Sequence, residues 1–158
     1  MSTRNIVEIG NATLRKKSKP VVDFDENLGQ LFDDMLQTMK EKNGMGISAV
    51  QVGVLRRALI VEVEAGKYLE VCNPTILVTK GKCVNQEGCL SVPGFYTDVE
   101  RPWYVKIEAF DRHGNRFEFE GEDYVARCIC HEIDHLNGVL FVDYTKAGRD
   151  YKKKKGVE

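Results

Sequence analysis

The sequence predicts an α+β fold in which antiparallel β-sheets pack around a central buried helix, with an amphipathic helix near the N-terminus. Three observations support this class. Apolar residues recur at helical spacing early in the chain, short β-rich runs fill its middle, and a nearly continuous apolar helical pattern follows. A length of 158 residues suffices for one core, so we expect a single domain over residues 1–158.

The first helix is indicated by apolar residues at the spacing of one helical face. It follows the acidic pair Asp25 and Glu26, which favours a helix start, and precedes Asn43 and Gly44, which favour a helix end. The pattern therefore predicts an amphipathic helix with one buried face. That face comprises Leu28, Leu31, Phe32, Met35, Leu36 and Met39.

The middle of the chain is predicted to form strands. Its β-rich runs are "ALIVEV", "YLEV", "TILVTK", "YVKIEAF" and "RFEFE", separated by glycine, proline or the turn sequence "DRHGN". Such short connections favour antiparallel pairing. The stretch "NQEGCLSVPG" at residues 85–94 is polar and rich in turn residues, so we expect a loop there.

The second helix should run from about Asp123 to Asn137, and it contains the HExxH pattern within "CHEIDHLNG" at residues 130–138. His131 and His135 are four residues apart, so both imidazoles lie on one helical face and can bind one metal ion. Glu132 borders that face without being a ligand. The helix is apolar on nearly every side, so it should be buried, and a metal ion would satisfy its histidines.

A third metal ligand has to come from elsewhere, because no histidine follows His135. Cys89, in the turn-rich stretch, is a candidate, and a Cys-His-His set leaves a position open, as catalytic sites do. Two alternatives remain open at this point. One is a peptidase of the HExxH class with Asp143 or Glu158 as third ligand. The other is a zinc-stabilised binding module in which Cys130 closes a structural site.

The composition of the chain indicates which partners and which cellular compartment to expect. The formal net charge of −1 gives no indication of nucleic acid or an acidic membrane as the main partner. The basic run at residues 152–155 is predicted to be a solvated tail. No segment has the length and hydropathy of a signal peptide or membrane span, so we expect a cytoplasmic protein. Five cysteines, an odd number, favour reduced thiols over a disulfide framework.

Three ordered motifs resemble those of the peptide deformylases. They are "GMGISAVQ" at residues 44–51, "EGCLS" at 87–91 and "HEIDHLNG" at 131–138, and the opening segment "IVEIGNATLRKKSKPV" is similar as well. The chain departs from many members at Cys130, where they have glutamine, and at Ser48, where they have alanine. Neither departure removes a matched functional residue, so both bear on the fine adjustment of the site and not on its assignment.

The resemblance implies an enzyme that removes the formyl group from the N-terminal formylmethionine of new polypeptides and releases formate. It implies Cys89, His131 and His135 as metal ligands and Glu132 as the group that carries the proton. The side-chain amide of Gln51 and the backbone N–H of Leu90 would hold the oxyanion.

The resemblance also implies a substrate site. Gly44 and Gly46 would let the substrate backbone lie against their loop. Glu87 and Arg101 would pair and brace the cysteine loop. The methionine pocket is expected to contain Met45, Leu90, Cys128 and His131.

The implied cofactor is one divalent metal ion, Fe²⁺ in the cell, with Zn²⁺, Ni²⁺ or Co²⁺ able to occupy the site in purified protein. The implied partners are nascent N-formylmethionyl polypeptides, with a weak ribosome contact through the basic C-terminal tail. We expect neither membrane association nor sequence-specific nucleic acid binding.

Overall fold

The computed structural model describes residues 2–158, which form three α-helices, seven β-strands and three short 3₁₀ helices. The helices are α1 (Glu26–Glu41), α2 (Tyr124–Leu136) and α3 (Lys146–Lys155). The strands are β1 (Gly46–Ser48), β2 (Ala58–Glu64), β3 (Lys67–Lys80), β4 (Cys83–Cys89), β5 (Val92–Arg101), β6 (Tyr104–Phe110) and β7 (Arg116–Glu122).

The strands form two antiparallel sheets. One has five strands in the order β1-β2-β3-β6-β7, and the other is the β4-β5 hairpin. The predicted α+β class with antiparallel sheets is therefore confirmed. No helix in residues 2–158 combines the length and hydropathy needed to cross a membrane.

Helix α1 begins where the acidic pair predicted it. The Asp25 side chain accepts a hydrogen bond from the backbone N–H of Leu28 at 3.0 Å and so caps the first turn. The chain leaves the helix through Asn43, whose φ is +55°. The buried face of α1 packs against β1 and β2 and comprises Leu28, Leu31, Phe32, Met35 and Met39.

Helix α2 carries the HExxH residues into the interior. Its apolar side chains pack against the inner face of the five-stranded sheet, where Leu59, Val105 and Ile107 are fully buried. His131, Glu132 and His135 are buried as well, so three polar side chains stand in a largely apolar environment. Gly138, with φ of +75°, turns the chain after the helix, because only glycine adopts that conformation without strain.

Strand β3 corrects the prediction of two separate strands. The runs "YLEV" and "TILVTK" belong to one strand that changes register between Cys72 and Thr75. Asn73 adopts a φ of +50° at this point, and its side chain bonds the backbone N–H and carbonyl of Val21 at 2.8 and 2.9 Å. The strand bends here without ending, because the asparagine side chain replaces the interrupted ladder.

The stretch at residues 85–94 is not the loop that was expected. Strand β4 continues to Cys89, and only Leu90 and Ser91 form the turn before β5 begins. The polar residues that suggested a loop belong to a strand, because β4 exposes much of its length to solvent. Cys89 therefore lies at the end of a strand, where pairing with β5 holds its backbone.

The basic run at residues 152–155 lies in a helix and is not an unstructured tail, although Lys153, Lys154 and Lys155 are exposed to solvent, as a solvated run would be. The Thr145 hydroxyl caps α3 by accepting from the Gly148 backbone N–H at 2.9 Å, and Lys152 bonds Asp143 at 2.6 Å. Tyr151 stacks on Phe95 of β5 with ring centroids 4.4 Å apart. A cap, an ion pair and an aromatic contact thus order a segment whose like charges repel.

Candidate metal centre and substrate cavity

Three side chains from two elements converge on one point. Helix α2 presents His131 and His135 on one face, and the end of β4 presents Cys89 opposite them. One ligand atom from each lies within 4.8 Å of the others, and Cys89 Sγ is 3.2 Å from His135 Nε2. A tetrahedral ion separates its sulfur and nitrogen ligands by roughly 3.3–3.6 Å, so the three residues fit a metal ion.

Glu87 orients the first histidine. Its Oε1 lies 2.9 Å from His131 Nδ1, so the carboxylate accepts the Nδ1–H and leaves Nε2 free to act as a ligand. The predicted pairing with Arg101 is confirmed, since Nε and one terminal nitrogen donate to the carboxylate at 2.8 and 2.9 Å. Burial opposes ionisation of Glu87, but Arg101 and His131 outweigh it and lower its pKa to about 2.

Arg127 is a second guanidinium on the same carboxylate, and the sequence analysis missed it. It donates to Glu87 Oε2 at 2.6 Å and to the backbone carbonyls of Val99 and Cys83 at 2.8 and 2.7 Å. It thereby ties α2 to both strands of the β4-β5 hairpin. The available signal was its position four residues before His131, as the one arginine or lysine in an apolar helix.

The two histidines differ in their affinity for a proton. Burial acts to lower the pKa of His131, but hydrogen bonds to Cys89 and Glu87 raise it well above its ordinary value. Burial lowers the pKa of His135 well below its ordinary value, and the nearby His131 acts in the same direction. A ligand nitrogen has to be unprotonated, so the lowered pKa of His135 favours metal binding there, and at His131 the Nδ1–H bonded to Glu87 leaves Nε2 as the ligand atom.

A cavity of about 830 Å³ opens beside these residues. It is large enough for a peptide terminus, since small-molecule sites span roughly 300–1,000 Å³. His135 is buried and lies outside the cavity lining. All the other residues predicted to act in catalysis, metal binding or substrate binding line it: Gly44, Met45, Gly46, Gln51, Cys89, Leu90, Cys128, His131 and Glu132.

Gln51 is held at the cavity by both ends of its amide. Its Oε1 accepts from the backbone N–H of Ser48 at 2.9 Å, and its Nε2 donates to Ser91 Oγ at 3.1 Å. The same Nε2 lies 3.6 Å from Cys89 Sγ. The amide nitrogen thus lies close to one of the candidate metal ligands, and both Gln51 and Leu90 line the cavity. The contribution of Ser91 was not predicted.

Glu132 lies beside the centre as a buried carboxyl, 4% exposed. Burial raises its pKa, while His131 and the hydrogen bond from Ser48 act to lower it. A carboxyl whose pKa is raised in this way is suited to accept and release a proton during a reaction near neutral pH.

The rival ligands lie elsewhere. Asp143 binds Arg15 at 2.7 Å and Lys152 at 2.6 Å, and burial raises the pKa of the Cys130 thiol to about 11. In the part of the chain that the structure describes, Cys89, His131 and His135 are the one group of three potential ligands close enough to hold an ion. The alternatives based on Asp143, Glu158 or Cys130 therefore lose their structural support.

Comparisons with known proteins agree on one family. The family model described as polypeptide deformylase matches residues 3–150. A peptide deformylase of Thermoanaerobacter pseudethanolicus is 46% identical over 158 residues, which cover 100% of this chain and 99% of the relative. A peptide deformylase of Caldicellulosiruptor bescii is 51% identical over 143 residues, covering 90% of this chain and 86% of the relative.

Solved structures show the same relationship. The peptide deformylase of Legionella pneumophila superposes with a TM-score of 0.91 at 40% identity, covering 97% of this chain and 92% of that one. The peptide deformylase of Ehrlichia chaffeensis in complex with actinonin superposes with a TM-score of 0.93 at 36% identity, covering 99% and 96%. The sequence motifs, the fold and these matches lead to one conclusion: the chain belongs to the polypeptide deformylase family of enzymes.

Proposed function

We propose that this protein hydrolyses the formamide bond of N-formylmethionyl polypeptides, releasing formate and a free amino terminus, and that residues 1–158 act as one catalytic domain. The observation that carries the proposal is the convergence of Cys89, His131 and His135 within 4.8 Å, beside Glu132 on a cavity of about 830 Å³. Three ligands leave a fourth position for a reacting group, as in catalytic rather than structural sites.

The metal is proposed to be one divalent ion per chain, Fe²⁺ in the cell, held by Cys89, His131 and His135. Zn²⁺, Ni²⁺ and Co²⁺ suit the same sulfur and imidazole ligands. When bound, such an ion acts as a Lewis acid and lowers the pKa of a water molecule towards 7 from about 15.7. Glu87, Arg101 and Arg127 keep the His131 ring in the orientation and tautomer that ligation requires.

Glu132 is the proposed proton carrier. Its carboxylate would accept the proton that the attacking water loses and then deliver it to the amine nitrogen as the C–N bond breaks. Its burial supports this role, because the raised pKa brings the carboxyl closer to the pH at which both transfers are efficient.

Gln51 and Leu90 are the proposed donors to the formyl oxygen as it gains negative charge. The amide of Gln51 is pre-oriented by Ser48 and Ser91, so it loses little further freedom when substrate binds. Leu90 directly follows Cys89 in the turn between β4 and β5 and lines the cavity, and this position supports its backbone N–H as the second donor. Each donor of this kind lowers a barrier by roughly 3 kcal/mol.

The methionine side chain is proposed to enter the cavity between Met45, Leu90 and Cys128, with the peptide backbone along Gly44 and Gly46. Their surroundings support the use of glycine. A Cβ on Gly44 would lie 2.9 Å from Leu90 Cδ1, and one on Gly46 would lie 2.6 Å from Glu132 Oε2. A larger residue at either position would therefore disturb a predicted site residue.

A weak ribosome contact is proposed for α3. Lys153, Lys154 and Lys155 are exposed on this helix, so they present positive charge to solvent, and ribosomal RNA is the polyanion nearest to a nascent chain. Replacing the three lysines by glutamine should weaken ribosome co-sedimentation at low salt and leave hydrolysis of free peptides unchanged. Equal co-sedimentation of both proteins would refute this contact.

The proposed reaction is tested with matched peptides. Formyl-Met-Ala-Ser should yield one formate and one free amine per molecule, whereas acetyl-Met-Ala-Ser should react far more slowly because its acyl carbon carries a methyl group. Actinonin, the ligand of the Ehrlichia chaffeensis relative, should inhibit the reaction. Cleavage at the Met-Ala bond without formate would identify a peptidase and refute the proposal.

A further inference from the structure

The carboxylate of Glu132 has one hydrogen-bonding side chain among residues 2–158, and that side chain is Ser48. The serine Oγ lies 2.9 Å from Glu132 Oε1 and also 2.9 Å from the backbone carbonyl oxygen of Glu132. Ser48 is fully buried and Glu132 is 4% exposed. A buried carboxylate with one protein donor depends on that donor for its orientation, because an unpaired buried oxygen is costly.

The second carboxylate oxygen meets the same strand. Gly46 and Ser48 are two residues apart in β1, so they lie on one face of the strand. Glu132 Oε2 fills the space beside the Gly46 Cα, where a Cβ would come within 2.6 Å of it. One face of β1 thus fixes both oxygens, by a hydrogen bond at Ser48 and by close packing at Gly46.

Strand β1 is held in place by hydrogen bonds to its neighbour β2. It pairs with β2 along its whole length, with Gly46 opposite Val61 and Ser48 opposite Leu59. The backbone N–H of Ser48 also donates to Gln51 Oε1 at 2.9 Å. Ser48 therefore holds the proposed proton carrier with its hydroxyl and a proposed oxyanion donor with its backbone.

We propose that the Ser48 hydroxyl is a positioning residue that holds the Glu132 carboxylate in the orientation needed for proton transfer. The inference rests on the proposed function, because it gives Ser48 its role through Glu132. Ser48 does not line the cavity, so substrate does not touch it. Its effect should therefore appear in the rate of the chemical step and not in substrate binding.

Ser48→Ala tests this inference cleanly. It removes the hydroxyl and keeps the backbone bond to Gln51, so only the contact with Glu132 is lost. We expect kcat to fall about tenfold, part of what general acid–base catalysis supplies, with KM within about twofold of the parent value. Metal content should stay unchanged. A crystal structure of the variant should show the Glu132 carboxylate rotated or displaced from its parent position.

Ser18→Ala is the matched control. Ser18 is also buried, at 3% exposure, and its hydroxyl has no hydrogen-bond partner within residues 2–158. This variant loses an equal volume from the interior without touching Glu132, so its kcat should equal that of the parent. A common loss in both variants would show a general packing effect and overturn the inference.

Other outcomes also decide the matter. A parent-like kcat in Ser48→Ala, an unmoved carboxylate, or a loss of bound metal would each overturn the positioning role. If the parent protein releases no formate, the proposed function fails at that step. The crystallographic comparison of Glu132 in the two proteins would still test whether Ser48 holds the carboxylate.

Discussion

Replacing Glu87 by alanine should destabilise the protein by about 3 kcal/mol. Glu87 is buried and accepts four hydrogen bonds, two from Arg101 and one each from Arg127 and His131. Removing one partner of a buried ion pair costs roughly 3–5 kcal/mol. The lower end applies here, because Arg101 keeps Asp134 at 2.6 Å and Arg127 keeps two backbone carbonyls.

Urea denaturation of the zinc-loaded protein at pH 7, followed by circular dichroism, measures this loss. Metal affinity measured with a competing chelator should also fall, by roughly 10- to 100-fold, because the His131 ring loses its acceptor. Glu87→Gln is the matched control. It keeps an acceptor oxygen for His131, so its metal affinity should fall less than that of Glu87→Ala. It removes the charge that pairs with the two arginines, so its free energy of unfolding should still fall. If Glu87→Ala unfolds within about 1 kcal/mol of the parent, the buried network does not support the site as argued.

Three further predictions concern single residues. Cys89→Ala should abolish stoichiometric metal binding and Cys130→Ala should retain it, as measured by inductively coupled plasma mass spectrometry. The reverse pattern would refute the proposed set of ligands. Glu132→Ala should keep its metal but lose at least about a hundredfold in kcat, and retention of a tenth of the rate would exclude it as the proton carrier. Burial opposes ionisation of Asp143, but Arg15 and the neighbouring lysine hold its pKa at about 2, below the ordinary 3.8. The ionised Asp143 side chain thus adds about 1–2 kcal/mol to the free energy of unfolding above pH 4, and this contribution is lost as the pH falls through about 2. The difference in unfolding free energy between the parent and Asp143→Asn should vanish over that window; a constant difference would refute the ion pair.

Local patterns were the predictable part of this molecule. The bounds of α1 follow from apolar spacing and the Asp25 cap, which act within a few residues of one another. The pairing of His131 with His135 on one helical face is equally local. Helix α3 was not predictable from its lysines, because Asp143, the Thr145 cap and the Tyr151 stacking contact stabilise it.

The candidate site depends on contacts that a single sequence does not reveal. Cys89 and His135 are 46 residues apart, and Glu87 and His131 are 44 apart. The motif order, and not any spacing rule, joined Cys89 to His135 in the sequence analysis, and the contact between Glu87 and His131 was not predicted. Arg127 belongs to no quoted motif and was therefore missed. Its role emerges only when α2 packs against the hairpin and leaves Glu87 buried between two guanidinium groups.

The dependence of formate release on bound metal would show directly whether this protein is a metal-dependent deformylase. Metal-free protein, prepared without oxygen, would be titrated with Fe²⁺, and formate release from formyl-Met-Ala-Ser would be measured at each addition. We expect negligible activity without metal and a linear rise that ends at one bound ion per chain. Full activity in the metal-free protein, or a plateau at a different stoichiometry, would contradict it.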